Sequence, residues 1–149
     1  MNKILVPIDG SVLSQKAVIE SRKMAEAFQA DLIFLSVASG STPSEKENAN
    51  KVIKEGLEMQ EYVSKFKSNA QMYLEDARNS VKDFTGEVET VLLYGDPAER
   101  IEDYLDEHEI DMIVMGSHGI GVSMLQQLLI GSVTSKILKF ATQPVLIVK

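Results

Sequence analysis

The chain has 149 residues, 44% of them apolar types and 25% charged, which suits one globular domain over residues 1–149 that buries roughly two-thirds of its unfolded surface. A formal net charge of −7, with no cluster of lysine and arginine, argues against nucleic acid or an anionic membrane as partner. Having no cysteine and only two histidines, His108 and His118, excludes disulfides, thiolate chemistry and ordinary zinc sites.

Lys3 to Ile8 is a short β-branched run suited to a parallel sheet, with Pro7 near its end. It is too short for a signal peptide, and no run reaches membrane-spanning length, so a cytoplasmic location is expected. Asp9-Gly10-Ser11 turns the chain, and Ser11 or Ser14 caps a helix whose apolar face is Ala17, Val18, Ser21, Met24, Ala25 and Phe28. Leu32 to Val37 reads as the second strand, followed by a loop from Ala38. Ser44 with Glu47 forms a capping box that opens a long helical region. There Met59, Val63, Phe66, Ala70, Tyr73, Ala77, Val81 and Phe84 keep a three-four spacing, the stripe of a core-facing helix.

Val88 to Leu93 is the third strand. Asp96 then caps a helix with Pro97 at its first position and Glu99 three residues after the cap, running down to a solvated His108. Asp111 to Met115 is the fourth strand, Ser132 to Phe140 the last helix with Val133, Ile137, Leu138 and Phe140 among its apolar residues, and Val145 to Val148 the fifth strand. Alternating strands and helices call for an α/β fold: a single doubly wound, five-stranded parallel sheet with helices on both faces.

A doubly wound sheet has a crevice where its winding reverses, at the carboxyl ends of the strands. With strand 1 central and strand 4 beside it, Pro7-Ile8-Asp9-Gly10 and Met115-Gly116-Ser117-His118-Gly119 face that crevice. Glycines at a strand-to-helix junction let backbone N–H groups approach an anion, and the helix N-terminus adds unpaired donors. Gly116, Gly119, Gly121, Gly131, Ser132 and the N–H of Val133 are therefore candidate phosphate donors, with Met115 and His118 beside them. The Asp9 carboxylate either fixes a ribose hydroxyl or adenine amino group or merely forms an Asx-turn around Gly10. Pro7 and Ile8 lead into it, and Val37, at the end of strand 2, is placed to read an adenine edge with its backbone.

No lysine or arginine occurs between Arg100 and Lys136, so phosphate charge would be met by backbone donors and a divalent ion, magnesium or manganese, carried by the phosphates. Phosphoryl-transfer enzymes add a positioned cation and a group that orients the nucleophile. Neither is evident, nor is a protein metal site, so binding without catalytic residues is expected. There is no G-x-x-x-x-G-K-[ST], and the first strand-to-helix turn lacks G-x-G-x-x-G.

Five blocks in order resemble the universal stress protein family, of the adenine-nucleotide alpha-hydrolase-like group. They are Ile4 to Ser11, Gly95 to Ala98, Asp111 to Gly119, Gly131 to Val133 and Pro144 to Val148. The resemblance implies strand order 3-2-1-4-5 and a homodimer made through Val145 to Val148, which would also cover an apolar sheet edge. One branch of that family binds ATP through G-x2-G-x9-G-[S/T]. Here Gly116-x2-Gly119 is present, but eleven residues rather than nine separate Gly119 from Gly131-Ser132. A bulge at Ile120-Gly121 absorbs two extra residues, and Ser123 with Gln126 caps a short helix; alternatively the longer loop fills the phosphate space. Family members often carry a basic residue where Ile120 stands, which implies weaker binding.

The leading expectation is a cytoplasmic, homodimeric stress-response protein that binds ATP with a divalent ion as a regulatory ligand, biasing an unidentified protein partner. The alternatives are a dimeric stress protein that acts through partners without nucleotide, its Ala38 to Gly56 segment making the contact, and a slow ATP hydrolase with Asp9 as base.

Overall fold

Among the described residues five strands alternate with helices. The structure, a computed structural model, describes residues 1–38, 67, 69–119 and 130–149. In order these form β1 (Lys3–Pro7), α1 (Val12–Phe28), β2 (Asp31–Ala38), a helix α2 over 69–80, β3 (Val88–Tyr94), α3 (Pro97–Glu107), β4 (Met112–Gly116), α4 (Ser132–Phe140) and β5 (Val145–Val148). All strand pairs are parallel and the order is β3-β2-β1-β4-β5. That is the doubly wound sheet the sequence and its family resemblance called for.

The period-two alternation of strand side chains divides the core into two layers. Ile4, Val6, Leu32, Phe34, Met112 and Val114 face α1 and α2, meeting Ala17, Val18, Ala25, Leu74, Ala77 and Val81. Leu5, Ile33, Leu35, Ile113 and Met115 face α3 and α4, meeting Ile101, Tyr104, Leu105 and Ile137. Side chains of central strands are covered on both faces, which explains why β1 and β4 read as unbroken apolar runs. Each Ile, Leu or Val removed from water in this way contributes about 1.5–3 kcal/mol before entropy is charged against it.

Cap chemistry sets the helix starts. Ser11, rather than Ser14, is the N-cap of α1: its Oγ accepts from the Ser14 N–H at 3.1 Å, while the Ser14 hydroxyl donates to the Ser11 carbonyl at 2.9 Å. Asp96 caps α3 by accepting from the Glu99 N–H at 3.1 Å, with Pro97 following. His108 is the C-cap residue of α3 and has a structural job beyond solvation. Its ring stacks on Tyr104 at 3.9 Å, and its Nδ1 donates to the Tyr104 carbonyl at 2.9 Å, satisfying one of the helix's last acceptors.

Several expectations need correction. Phe28 keeps the helical spacing of the α1 apolar face yet is exposed, as the last residue of that helix. β4 runs from Met112 to Gly116, one residue later than expected at each end, and Asp111 before it accepts at Oδ2 from the N–H groups of Asn2 and Lys3 at 2.7 and 2.9 Å. Of the long stripe, Ala70, Tyr73, Ala77, Val81 and Phe84 pack on the core, whereas Met59, Val63 and Phe66 lie outside the described residues, as do Ser44, Glu47 and Gly56.

Candidate functional site

β1 and β2 stay in register through Pro7↔Leu35, whereas β1 and β4 are in register only at Ile4↔Met112 and Leu5↔Ile113. Beyond that point the central strands part, and a crevice opens at their carboxyl ends. Pro7, which has no N–H to give a ladder, sits where pairing to β4 has already ended. The Ile8 N–H still reaches the Leu35 carbonyl at 2.8 Å, so β1 leaves the sheet held on the β2 side.

The resulting cleft has a volume of about 420 Å³, within the size range of small-molecule sites. Pro7, Ile8, Asp9, Val37, Met115, Gly116, His118, Gly119, Gly131, Ser132 and Val133, drawn from four separate stretches of chain, all line it. Gly121 lies outside the described residues, as do Ile120, Ser123 and Gln126.

Asp9 is exposed and lines the cleft. Its Oδ1 accepts from the Ser11 N–H at 2.9 Å, so the Asx-turn is real. Its Oδ2 points the other way, against Gly119, where any added Cβ would collide with it. One carboxylate thus holds the turn with one oxygen and faces the glycine segment with the other.

The glycines crowd together for the same reason. A Cβ at Gly116 would lie 2.9 Å from the Leu13 Cβ, and one at Gly131 would lie 3.0 Å from the His118 Cα, so both positions bring backbone against α1 or against the Ser117-His118 turn. The Gly131 N–H donates to the Ser117 carbonyl at 2.7 Å. This corrects its expected role: Gly131 closes the cradle, and its N–H is not offered to a ligand. Donors remain at the start of α4, where Gly131 is the N-cap residue and no side chain caps the helix. The N–H groups of Ser132 and Val133, in its first turn, meet the cleft with the positive end of the helix dipole. The buried Thr134 hydroxyl donates to the Gly116 carbonyl at 3.0 Å, fixing α4 to the end of β4. The Ser117 hydroxyl and His118 Nδ1 lie 3.1 Å apart, which orients the imidazole.

Sequence reasoning missed part of the wall. Ser14, Ser36, Pro97, Ile101, Asn69 and Tyr73 also line the cleft, the last two from α2. Gly10, at φ +82°, carried a signal for one of them: a Cβ there would run into the Tyr73 ring. Among the described residues no lysine or arginine lines the cleft, and no group of three His, Asp or Glu side chains could hold a metal ion.

Such an arrangement brings a carboxylate acceptor, a glycine-edged helix N-terminus and apolar side chains into one cleft. Its donor set fits a ligand with a hydroxylated middle and an anionic tail.

Comparison with known proteins agrees with the architecture. The model of the Universal stress protein family matches residues 1–149. Universal stress protein YxiE of Bacillus subtilis is 32% identical over 148 residues, 99% of each chain. The solved structure of universal stress protein UspA from Lactobacillus plantarum superposes with a TM-score of 0.83 at 27% identity, covering 99% of this chain and 97% of that one. A universal stress protein solved in complex with cAMP superposes with a TM-score of 0.69, also at 27% identity, over 99% and 97% of the two chains. With the match running from the first residue to the last and the sheet wound in the same order, the chain belongs to the universal stress protein family.

Proposed function

We propose that this protein binds an adenine nucleotide in the cleft between β1 and β4, with ATP and a magnesium or manganese ion as the working ligand. The observation that carries the reading is the meeting, in one crevice, of the Asp9 carboxylate with three closely packed glycines and with the start of α4, which no side chain caps. The related protein solved with cAMP supports the adenine nucleotide as the class of ligand. Asp9 would accept a hydrogen bond from the sugar or base, the Val37 backbone would meet the base, and the N–H groups of Ser132 and Val133 would take phosphate oxygens. The divalent ion would offset the charge that the cleft's own side chains leave unmet.

The site is read as one for binding without turnover. Occupancy then acts as a regulatory signal, passed by a cytoplasmic homodimer paired through Val145–Val148 to a protein partner. A dimer that works without nucleotide is the second reading, favoured by the eleven residues between Gly119 and Gly131 where the ATP-binding pattern has nine.

The discriminating experiment is equilibrium dialysis of radiolabelled ATP with magnesium against the wild type and Gly131→Val. The substitution drives a branched side chain into the His118 backbone, and it should abolish binding while leaving the far-UV circular dichroism intact. Equal binding by both proteins would remove the cleft from the account.

A further inference from the structure

Gly10, in the turn after β1, and Tyr73, on α2, share one space. At Gly10 the backbone has φ +82°, and the place of a Cβ is filled by the Cδ1–Cε1–Cζ edge of the Tyr73 ring. The Cζ that carries the hydroxyl is thus held against Gly10 of the Asp9-Gly10-Ser11 turn, and Tyr73 and Asp9 line the same cleft. The ring itself is wedged against the core layer that faces α1, so its position is fixed by packing. One helical turn earlier on the same face of α2, Asn69 is half-buried and lines the same cleft. Its amide can both donate and accept, as can the tyrosine hydroxyl, whereas an ionised Asp9 can only accept.

We infer that Asn69 and Tyr73, together with Asp9, form a sugar-reading wall of the cleft, selecting ribonucleotides over their deoxy counterparts. This rests on the nucleotide reading of the cleft. A vicinal diol needs acceptors for its protons and donors for its lone pairs. Asp9 supplies the first and α2 the second. A deoxy sugar leaves one of these fixed polar groups unpaired in a partly desolvated cleft, which costs affinity by roughly tenfold or more.

Calorimetric titration with ATP, 2′-deoxy-ATP and 3′-deoxy-ATP, each with magnesium, tests this on the wild type and on an Asn69→Ala/Tyr73→Phe double variant. Tyr73→Phe keeps the ring against Gly10, so the variant should melt within a few degrees of the wild type. The wild type is expected to prefer ATP over at least one deoxy analogue by about tenfold. The variant should lose that preference by binding ATP more weakly while its affinity for the deoxy analogue barely changes. A wild type that binds all three alike overturns the inference and leaves the nucleotide reading standing, as does a variant that retains the full preference. A wild type that binds none of them overturns both.

Discussion

Gly119 and Asp9 illustrate how little room the cleft leaves at single positions. Gly119→Ala would put a methyl group onto the Asp9 Oδ2, and the carboxylate cannot turn away without straining the bond from Oδ1 to the Ser11 N–H. The expected outcome is a loss of nucleotide affinity of about tenfold or more by calorimetry with a small change in melting temperature. Unchanged affinity would mean that Asp9 is not a ligand group. At the opposite end of the sheet, Asp111 uses its carboxylate structurally. Its pKa is lowered by the N–H bond from Asn2, then by that from Lys3, against a smaller opposing effect of desolvation and with help from the N-terminal charge. A folded-state pKa below the unfolded value of about 3.9 stabilises the fold above that pH, and the contribution fades as pH falls through the folded pKa. Because the group is almost fully exposed, the effect should be below about 1 kcal/mol. Urea titrations of the wild type and Asp111→Asn should therefore differ near pH 7 and converge in strong acid. A gap that persists in strong acid would place the effect elsewhere.

Among the elements, α3 shows local chemistry deciding a boundary. Asp96→Ala removes the acceptor for the Glu99 N–H and should destabilise the protein by about 1 kcal/mol in urea unfolding. Glycine at the same position should cost only a few tenths. This start was legible in the sequence because a cap, a proline and an acidic residue lie within four positions. α4 and β5 fall at the residues expected for the same kind of reason: a Gly-Ser start for one, and a proline followed by a β-branched run for the other. What was not legible is what depends on distant partners. Helical spacing shows the direction of an apolar face but not where along the helix its cover ends, which is why Phe28 was misplaced. The α2 wall of the cleft was missed because Tyr73 reads as one more stripe residue until Gly10 is seen beneath it. Gly131 was identified by position but not by role. Its N–H finds the Ser117 carbonyl only when β4 and α4 are brought together.

For the whole molecule, the sheet order leaves β3 and β5 as edges. Val145, Leu146, Ile147 and Val148 are all half-buried, two packed toward each core layer, and among the described residues one side of this apolar strand's backbone has no neighbouring strand. Pairing with a second copy would cover it. Sedimentation velocity should report twice the chain mass, and a monomer at the concentrations used for binding would contradict the dimer. The central claim concerns the cleft, where the winding of the sheet, the close glycines and the Asp9 turn converge. Its most direct test is calorimetric titration of the wild-type protein with ATP and magnesium. Saturable binding of one nucleotide per chain is expected, weakened when the divalent ion is chelated. Absence of any saturable binding would contradict it, and would mean that the longer loop between Gly119 and Gly131 has closed the phosphate space.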